Sequence, residues 1–293
     1  MPWFSYHGGH SGEFCRHAKG RLEEVVERAW EAGFTHYGLS EHCPRIRSED
    51  VFEDEIDLGV EGLERLFVEY QAEAARLRVL YADRLEILVG FETERLPPDD
   101  WAKVMARLRA HANPDFIIGS VHHVNARCID YSKQRTEAVA VEMGGRIPLE
   151  QAYFDDLAEL VSELRPEIVG HFDLIRKFDG DGAGFGEEVW PRVERALEAI
   201  HAANAVLDVN PSAHRRGLSP VYPLPRILKR AREMGIGVTL GDDSHGAHDV
   251  GVGLDACIRE IKVAGYQEVA CFRRIGGETQ RVEVPVGQMQ PKP

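Results

Sequence analysis

Short apolar runs alternate with longer amphipathic stretches along nearly the whole chain, and this alternation constrains the fold more than any other feature. The short runs are WFSYH (3–7), THYGLSEH (35–42), EILVGFETE (86–94), FIIGSVHHV (116–124), EIVGHFDL (167–174), AVLDVNP (205–211), GVTLGDDSH (237–245) and EVACFRR (268–274). Between them, 20–33, 63–84, 101–112, 149–164, 187–203, 225–235 and 254–265 carry apolar residues at helical spacing. In the first of these, Leu22, Val25, Val26 and Trp30 form the stripe and Gly33 the stop. Strand period giving way repeatedly to helix period marks βα units around parallel strands. Seven or so such units favour a closed or nearly closed (β/α)7 TIM-like barrel over an open sheet. No linker divides the chain, so 1–293 reads as one α/β domain, with an insertion at 125–148 and a peripheral tail from about 282.

The net charge is −14, from 35 Lys and Arg against 49 Asp and Glu. An acidic surface repels phosphate backbones, so no nucleic-acid partner is expected, although a local basic pocket for one small anion is compatible with it. The five cysteines are odd in number and form no CxxC pair, which points to a reducing compartment. No basic start leads into an apolar run, and no stretch approaches the ~18 apolar residues that span a bilayer. A cytoplasmic protein without a membrane partner is expected; the oligomeric state is left open.

Polar residues collect at the ends of the candidate strands. His7 and His10 end the first, Glu41 and His42 the second, Glu92 and Glu94 the third, His122 and His123 the fourth. His171 and Asp173 end the fifth, Asp208 and Asn210 the sixth, and Asp242, Asp243 and His245 the seventh. In a parallel barrel these ends meet on one face, where active sites are built. One histidine there is usually structural; histidine at five of seven ends is not explained that way. Imidazole and carboxylate without a cysteine pattern suit divalent zinc, iron or manganese. The donors exceed what one tetrahedral ion takes, so two or three bridged ions fit better, and clustered ions serve to attack phosphate esters.

The ordered set HSGEFCRHA (10–18), SEHCPR (40–45), GFETE (90–94), GSVHH (119–123), GHFDLIRKF (170–178), LDVNPSAHRRG (207–217) and LGDDSH (240–245) resembles the PHP superfamily, in its histidinol-phosphatase branch. The resemblance implies a distorted seven-stranded barrel holding a trinuclear metal cluster. It implies ligands at His10, His17, His42, Glu92, His122, His171, Asp243 and His245, with Glu92 bridging. Glu94, His123 and Asp242 are then neighbours that support ligands or face solvent. The implied activity is hydrolysis of a small phosphorylated substrate, L-histidinol phosphate, in histidine biosynthesis. Asp243 or His245 would either hand a proton to the leaving alkoxide or act as ligands only. Arg215 and Arg216 would face the phosphate, with Arg176 and Lys177 as further candidates and Arg16 and Arg45 behind them.

One motif departs from the family. Its first motif is HxH, and residues two apart on a strand share a face. Counting back from His10, this chain has Gly8 in the first position, and His7 lies one place earlier. On a regular strand His7 would face outward; a bulge at Gly8-Gly9 would turn it inward as a ligand. The alternative is a site one ligand short, with water in its place. No GxSxG, GxGxxG or GxxxxGK[ST] is present. A nuclease of the same superfamily and a non-catalytic metal-binding module remain the competing readings.

Overall fold

A computed structural model of the chain describes residues 2–179, 184–215 and 221–290. Strands β1 (Phe4–Ser5), β2 (His36–Leu39) and β3 (Glu86–Val89) pair in parallel in that order. Beyond Gly90 the third strand resumes as β4 (Phe91–Glu92), which pairs in parallel with β5 (Ile117–Gly119). Two short strands, β6 (His123–Val124) and β7 (Arg127–Cys128), follow as a hairpin. The parallel series then continues through β8 (Ile168–Val169), β9 (Val206–Val209) and β10 (Val238–Leu240).

Two links close this series into a ring. Gly90 N–H donates to the Leu39 carbonyl at 2.8 Å and a parallel bridge joins His42 to Glu92, so the third strand spans both sheets. Tyr6 N–H donates to the Leu240 carbonyl at 2.9 Å and Asp243 N–H to the His7 carbonyl at 2.7 Å, joining first strand to last. Taking β3 and β4 as one broken strand, β1, β2, β3/β4, β5, β8, β9 and β10 form a distorted seven-stranded α/β barrel, as expected.

The helices are α1 (Leu22–Glu31), α2 (Gly59–Leu80), α3 (Trp101–Ala112), α4 (Lys133–Glu142), α5 (Arg146–Leu164), α6 (Trp190–Ala203), α7 (Ser212–Arg215), α8 (Pro225–Glu233) and α9 (Leu254–Val263). In α1 the periodic residues Leu22, Val25 and Val26 are fully buried, while Trp30 stays 41% exposed at the edge of the stripe. The 125–148 segment, expected to be an insertion, carries β7 and α4. Ser132 caps α4 by accepting from Arg135 N–H at 3.3 Å.

Residues 282–285, expected to begin a peripheral tail, belong instead to a hairpin of β11 (Glu268–Ile275) and β12 (Glu278–Pro285). Val284 and Val286 are buried at the period-2 spacing of VEVPV, and Met289 is buried just beyond it. Tyr6 Oη donates to the Phe272 carbonyl at 2.6 Å and Thr239 Oγ1 to the Ala270 carbonyl at 2.8 Å, holding β11 to the barrel. Glu86 and Asp115, at the starts of β3 and β5, bind Arg274, so the hairpin reaches the end of the barrel opposite the strand-end histidines.

Candidate metal centre

Every proposed ligand comes from a strand end or the loop that leaves it, and Glu92 stands at the middle. Its Oε1 lies 3.1 Å from His7 Nε2, 3.1 Å from His171 Nε2 and 3.3 Å from His122 Nε2. Its Oε2 lies 3.1 Å from His42 Nδ1 and 3.9 Å from His10 Nε2. One carboxylate therefore faces two groups of imidazoles through its two oxygens. Asp243 joins His7 and His10, and His245 joins His10 and His42, with ligand atoms in each set within 4.8 Å of one another. His17 completes the rim, its Nε2 3.2 Å from His42 Nε2. Non-glycine residues with positive φ hold two turns: His171 at 21° and Asp243 at 49°. Such backbone strain collects at functional sites.

His7 points inward. Gly8 and Gly9 take φ of +140° and +77°, leaving strand geometry just after His7. His7 is buried, with Nδ1 2.6 Å from Asp208 Oδ2. A carboxylate can only accept, so Nδ1 carries a hydrogen and Nε2 is the nitrogen that faces the centre. His10 repeats this with Glu41 Oε1 at 2.8 Å from its Nδ1. His245 Nδ1 donates to the Asp243 carbonyl at 3.0 Å, again freeing Nε2. Glu94 lies 3.1 Å from His122 Nδ1 and 3.0 Å from His123 Nδ1. Orienting partners of this kind are what metal-binding imidazoles need. Glu41 and Asp208 stand at strand ends in the sequence, but their pairing with histidines required the barrel. Asp242 turns away from the cluster, accepting from Tyr37 Oη at 3.0 Å and Gly251 N–H at 2.9 Å.

A cation fits here on the structure's own terms. His7 Nε2, His10 Nε2 and Glu92 Oε1 are buried and make no hydrogen bond. Orphaned polar atoms converging on one spot are costly unless an ion satisfies them. Electrostatics agree. Burial alone would raise the Glu92 carboxyl, but His7, His122 and His42 outweigh it and hold it well below the usual range. Burial likewise disfavours charged His122, yet Glu94 and Glu92 lift it to about 10. Burial and then His10 push His245 down to about 4, leaving it a neutral donor.

A cavity of about 460 Å³ opens over the cluster. Arg215 lines it, donating to the carbonyls of Asp242 at 2.5 Å and Asp243 at 2.7 Å. Lys177 lines it too, its Nζ 3.0 Å from Asp130 Oδ2. Arg45 reaches it while paired with Glu55 at 2.7 Å. Asp130 and Tyr131, from the 125–148 segment, form part of its wall. Arg176 is not brought to the cavity: it is buried, donates to Asp173 at 2.8 Å and to the Val221 carbonyl, and stacks on Tyr222. Its three-residue spacing to Asp173 made it structural. Arg16 pairs with Asp57 on the surface. Arg216 lies outside the described residues.

A closed α/β barrel with an acid–imidazole cluster at its strand ends defines a metal-binding barrel of the phosphoesterase kind. The model of the PHP domain family matches residues 7–212, and the chain belongs to that family, in its histidinol-phosphatase branch. A Schizosaccharomyces pombe protein named "Probable histidinol-phosphatase" is 38% identical over 257 residues, 86% of this chain and 83% of that protein. The Saccharomyces cerevisiae histidinol-phosphatase is 28% identical, over 91% of this chain and 90% of its own length. Among solved structures, histidinol phosphate phosphatase from Lactococcus lactis, complexed with zinc, L-histidinol and phosphate, superposes with a TM-score of 0.68 at 19% identity. The match covers 95% of this chain and 98% of that one.

Proposed function

We propose that this protein hydrolyses L-histidinol phosphate to L-histidinol and phosphate with two or three divalent ions bound at the strand-end cluster. The observation that carries the reading is Glu92, one buried carboxylate shared between two sets of imidazoles below an open cavity. The names of the curated relatives, and the zinc, L-histidinol and phosphate in the Lactococcus lactis protein, support the substrate.

Bound there, zinc, iron or manganese ions supply Lewis-acid activation of water and of the ester phosphate. His7, His10, His17, His42, His122, His171, Asp243 and His245 would hold them, with Glu92 between. Asp208 and Glu41 fix the tautomers of His7 and His10. Arg215, anchored on two carbonyls beside Asp243, keeps N–H groups for phosphate oxygens, and Lys177 adds a second cation across the cavity. His245 donates from Nδ1 to a carbonyl and shows a bare Nε2, so it acts as a ligand rather than as the acid for the leaving alkoxide. Asp243 is held as a carboxylate: burial would raise it, but His7, His245 and His171 prevail. It too serves as a ligand.

Among the described residues the five cysteines are free and no helix is long and apolar enough to cross a membrane. The free thiols support a cytoplasmic setting. The test is a panel of phosphomonoesters and a short oligonucleotide, assayed with zinc, manganese or iron. L-Histidinol phosphate should lead 4-nitrophenyl phosphate by about 10²-fold in kcat/KM. Preference for the oligonucleotide would overturn the reading in favour of a nuclease; metal binding without turnover of any ester would favour a binding module.

A further inference from the structure

The HSGEFCRHA segment carries one donor that the ligand set leaves unused. Cys15 Sγ lies within 4.8 Å of the ligand nitrogens of both His17 and His42. The residue is only 6% exposed. Its position is set by a tight turn: Phe14 and Cys15 N–H donate to the Ser11 carbonyl at 3.0 and 2.9 Å, and Ala18 N–H to the Cys15 carbonyl at 3.2 Å. The two histidine Nε2 atoms stand 3.2 Å apart. That is the separation of two nitrogens bound about 2.0–2.1 Å from one ion.

We propose that Cys15 is a further ligand of this centre, its thiolate completing the ion held by His17 and His42. On binding, the Sγ–H proton passes to solvent as the sulfur–metal bond forms. A thiolate is a soft donor, so this position would select zinc over manganese and hold it more tightly than the all-imidazole and carboxylate positions around Glu92. The inference rests on the metal-binding part of the proposed function and is independent of the substrate.

The test is cobalt(II) loading of the whole protein, read by absorption. The wild type should show the near-ultraviolet sulfur-to-cobalt charge-transfer band. Cys15→Ser should lose it. Cys43→Ser, altering a buried thiol that joins no such donor set among the described residues, should keep it. A second measurement needs no variant: X-ray absorption of the zinc-loaded wild type should show a sulfur neighbour at about 2.3 Å. Cobalt bound without the band, a band surviving in Cys15→Ser, zinc surrounded only by nitrogen and oxygen, or a protein that binds no ion would each overturn the proposal. A band present in a protein that ignores L-histidinol phosphate would leave Cys15 as a ligand and defeat only the substrate reading.

Discussion

His7 Nε2 lies 3.1 Å from Glu92 Oε1, although His7 stands one residue out of step with the family's HxH spacing. The two glycines after His7 absorb the extra residue, and Asp208 clamps Nδ1 so that Nε2 faces the carboxylate. An imidazole one place out of register is thus turned inward by backbone freedom and an orienting acid. His7→Ala should lower metal content and cut kcat by about 10-fold or more, and Asp208→Asn, which loosens the clamp, should weaken metal affinity by about 10-fold. Metal analysis of both purified variants checks this; unchanged content in His7→Ala would remove His7 from the ligand set.

Restoring the family spacing by placing a side chain at Gly8 should not help. A Cβ there would collide with the Asp242 carboxylate and stand 2.8 Å from Ser244 N, on a backbone at φ +140°. Gly8→His and Gly8→Ala should each destabilise the fold by about 1–3 kcal/mol or more, from strain and contact together. Thermal melts check it: a Gly8→Ala protein as stable as the wild type would mean that the turn is softer than described.

The barrel and the gathering of histidines at its strand ends were legible because both leave periodic marks. Strand and helix periods alternate in sequence, and a parallel barrel gathers all strand C-termini on one face, so histidines at those ends had to meet. Arg176 and the C-terminal hairpin were misjudged for local reasons. An arginine three residues after Asp173 folds back onto that acid, and a composition-based reading passes over its chance of burial. VEVPV has a strand's period, but its partner lies in the preceding run, and short strands next to a chain end read as loose tail. Glu41 and Asp208 went unassigned because pairing an acid with an imidazole depends on which strands are neighbours, and sequence separations of 31 and 201 residues carry no such information.

Removal of the ions should cost stability as well as activity. The centre packs Glu92 and Asp243 among imidazoles whose free nitrogens have no hydrogen-bond partner. Ions that bind only the folded state stabilise it by mass action, about 2.7 kcal/mol at a hundredfold excess over Kd. Chelation should therefore lower the melting temperature, and zinc or manganese should restore it. A melting temperature indifferent to chelator in protein shown to hold metal would contradict the cation argument.

Lys177 and Arg215 should separate in kinetics. Lys177 touches the wall of the cavity through Asp130, whereas Arg215 also ties down the carbonyls of Asp242 and Asp243. Lys177→Ala should raise KM for the phosphoester by about 10-fold, the scale of one lost charged hydrogen bond, with kcat changed less. Arg215→Ala should lower kcat too, because the strained turn at Asp243 loses its brace. Equal effects of the two changes on both parameters would deny Arg215 this second role.

Away from the centre, Asp156 on α5 offers a test by pH. Its side chain is 15% exposed, Oδ1 meets Arg95 at 3.2 Å, and Oδ2 has no partner. Arg95 is shared with Glu159, 2.6 Å away. Burial therefore prevails over Arg95, helped by Glu159 and Asp155, and lifts the carboxyl to about 6. The folded state then binds this proton more tightly than the unfolded chain. Stability is gained as pH falls through about 6 toward the ordinary value near 4, and the penalty of the buried charge stands in full above 6. Asp156→Asn removes that penalty. At pH 8 the variant should be more stable by about 1–2 kcal/mol, a few degrees in melting temperature, once the full shift is discounted for partial exposure. Near pH 4, where the folded-state carboxyl is protonated and the unfolded one about half ionised, the gap in melting temperature should all but close. A gap in melting temperature that stays the same at pH 8 and pH 4 would show that Asn acts through packing and that the Asp156 carboxyl is not raised.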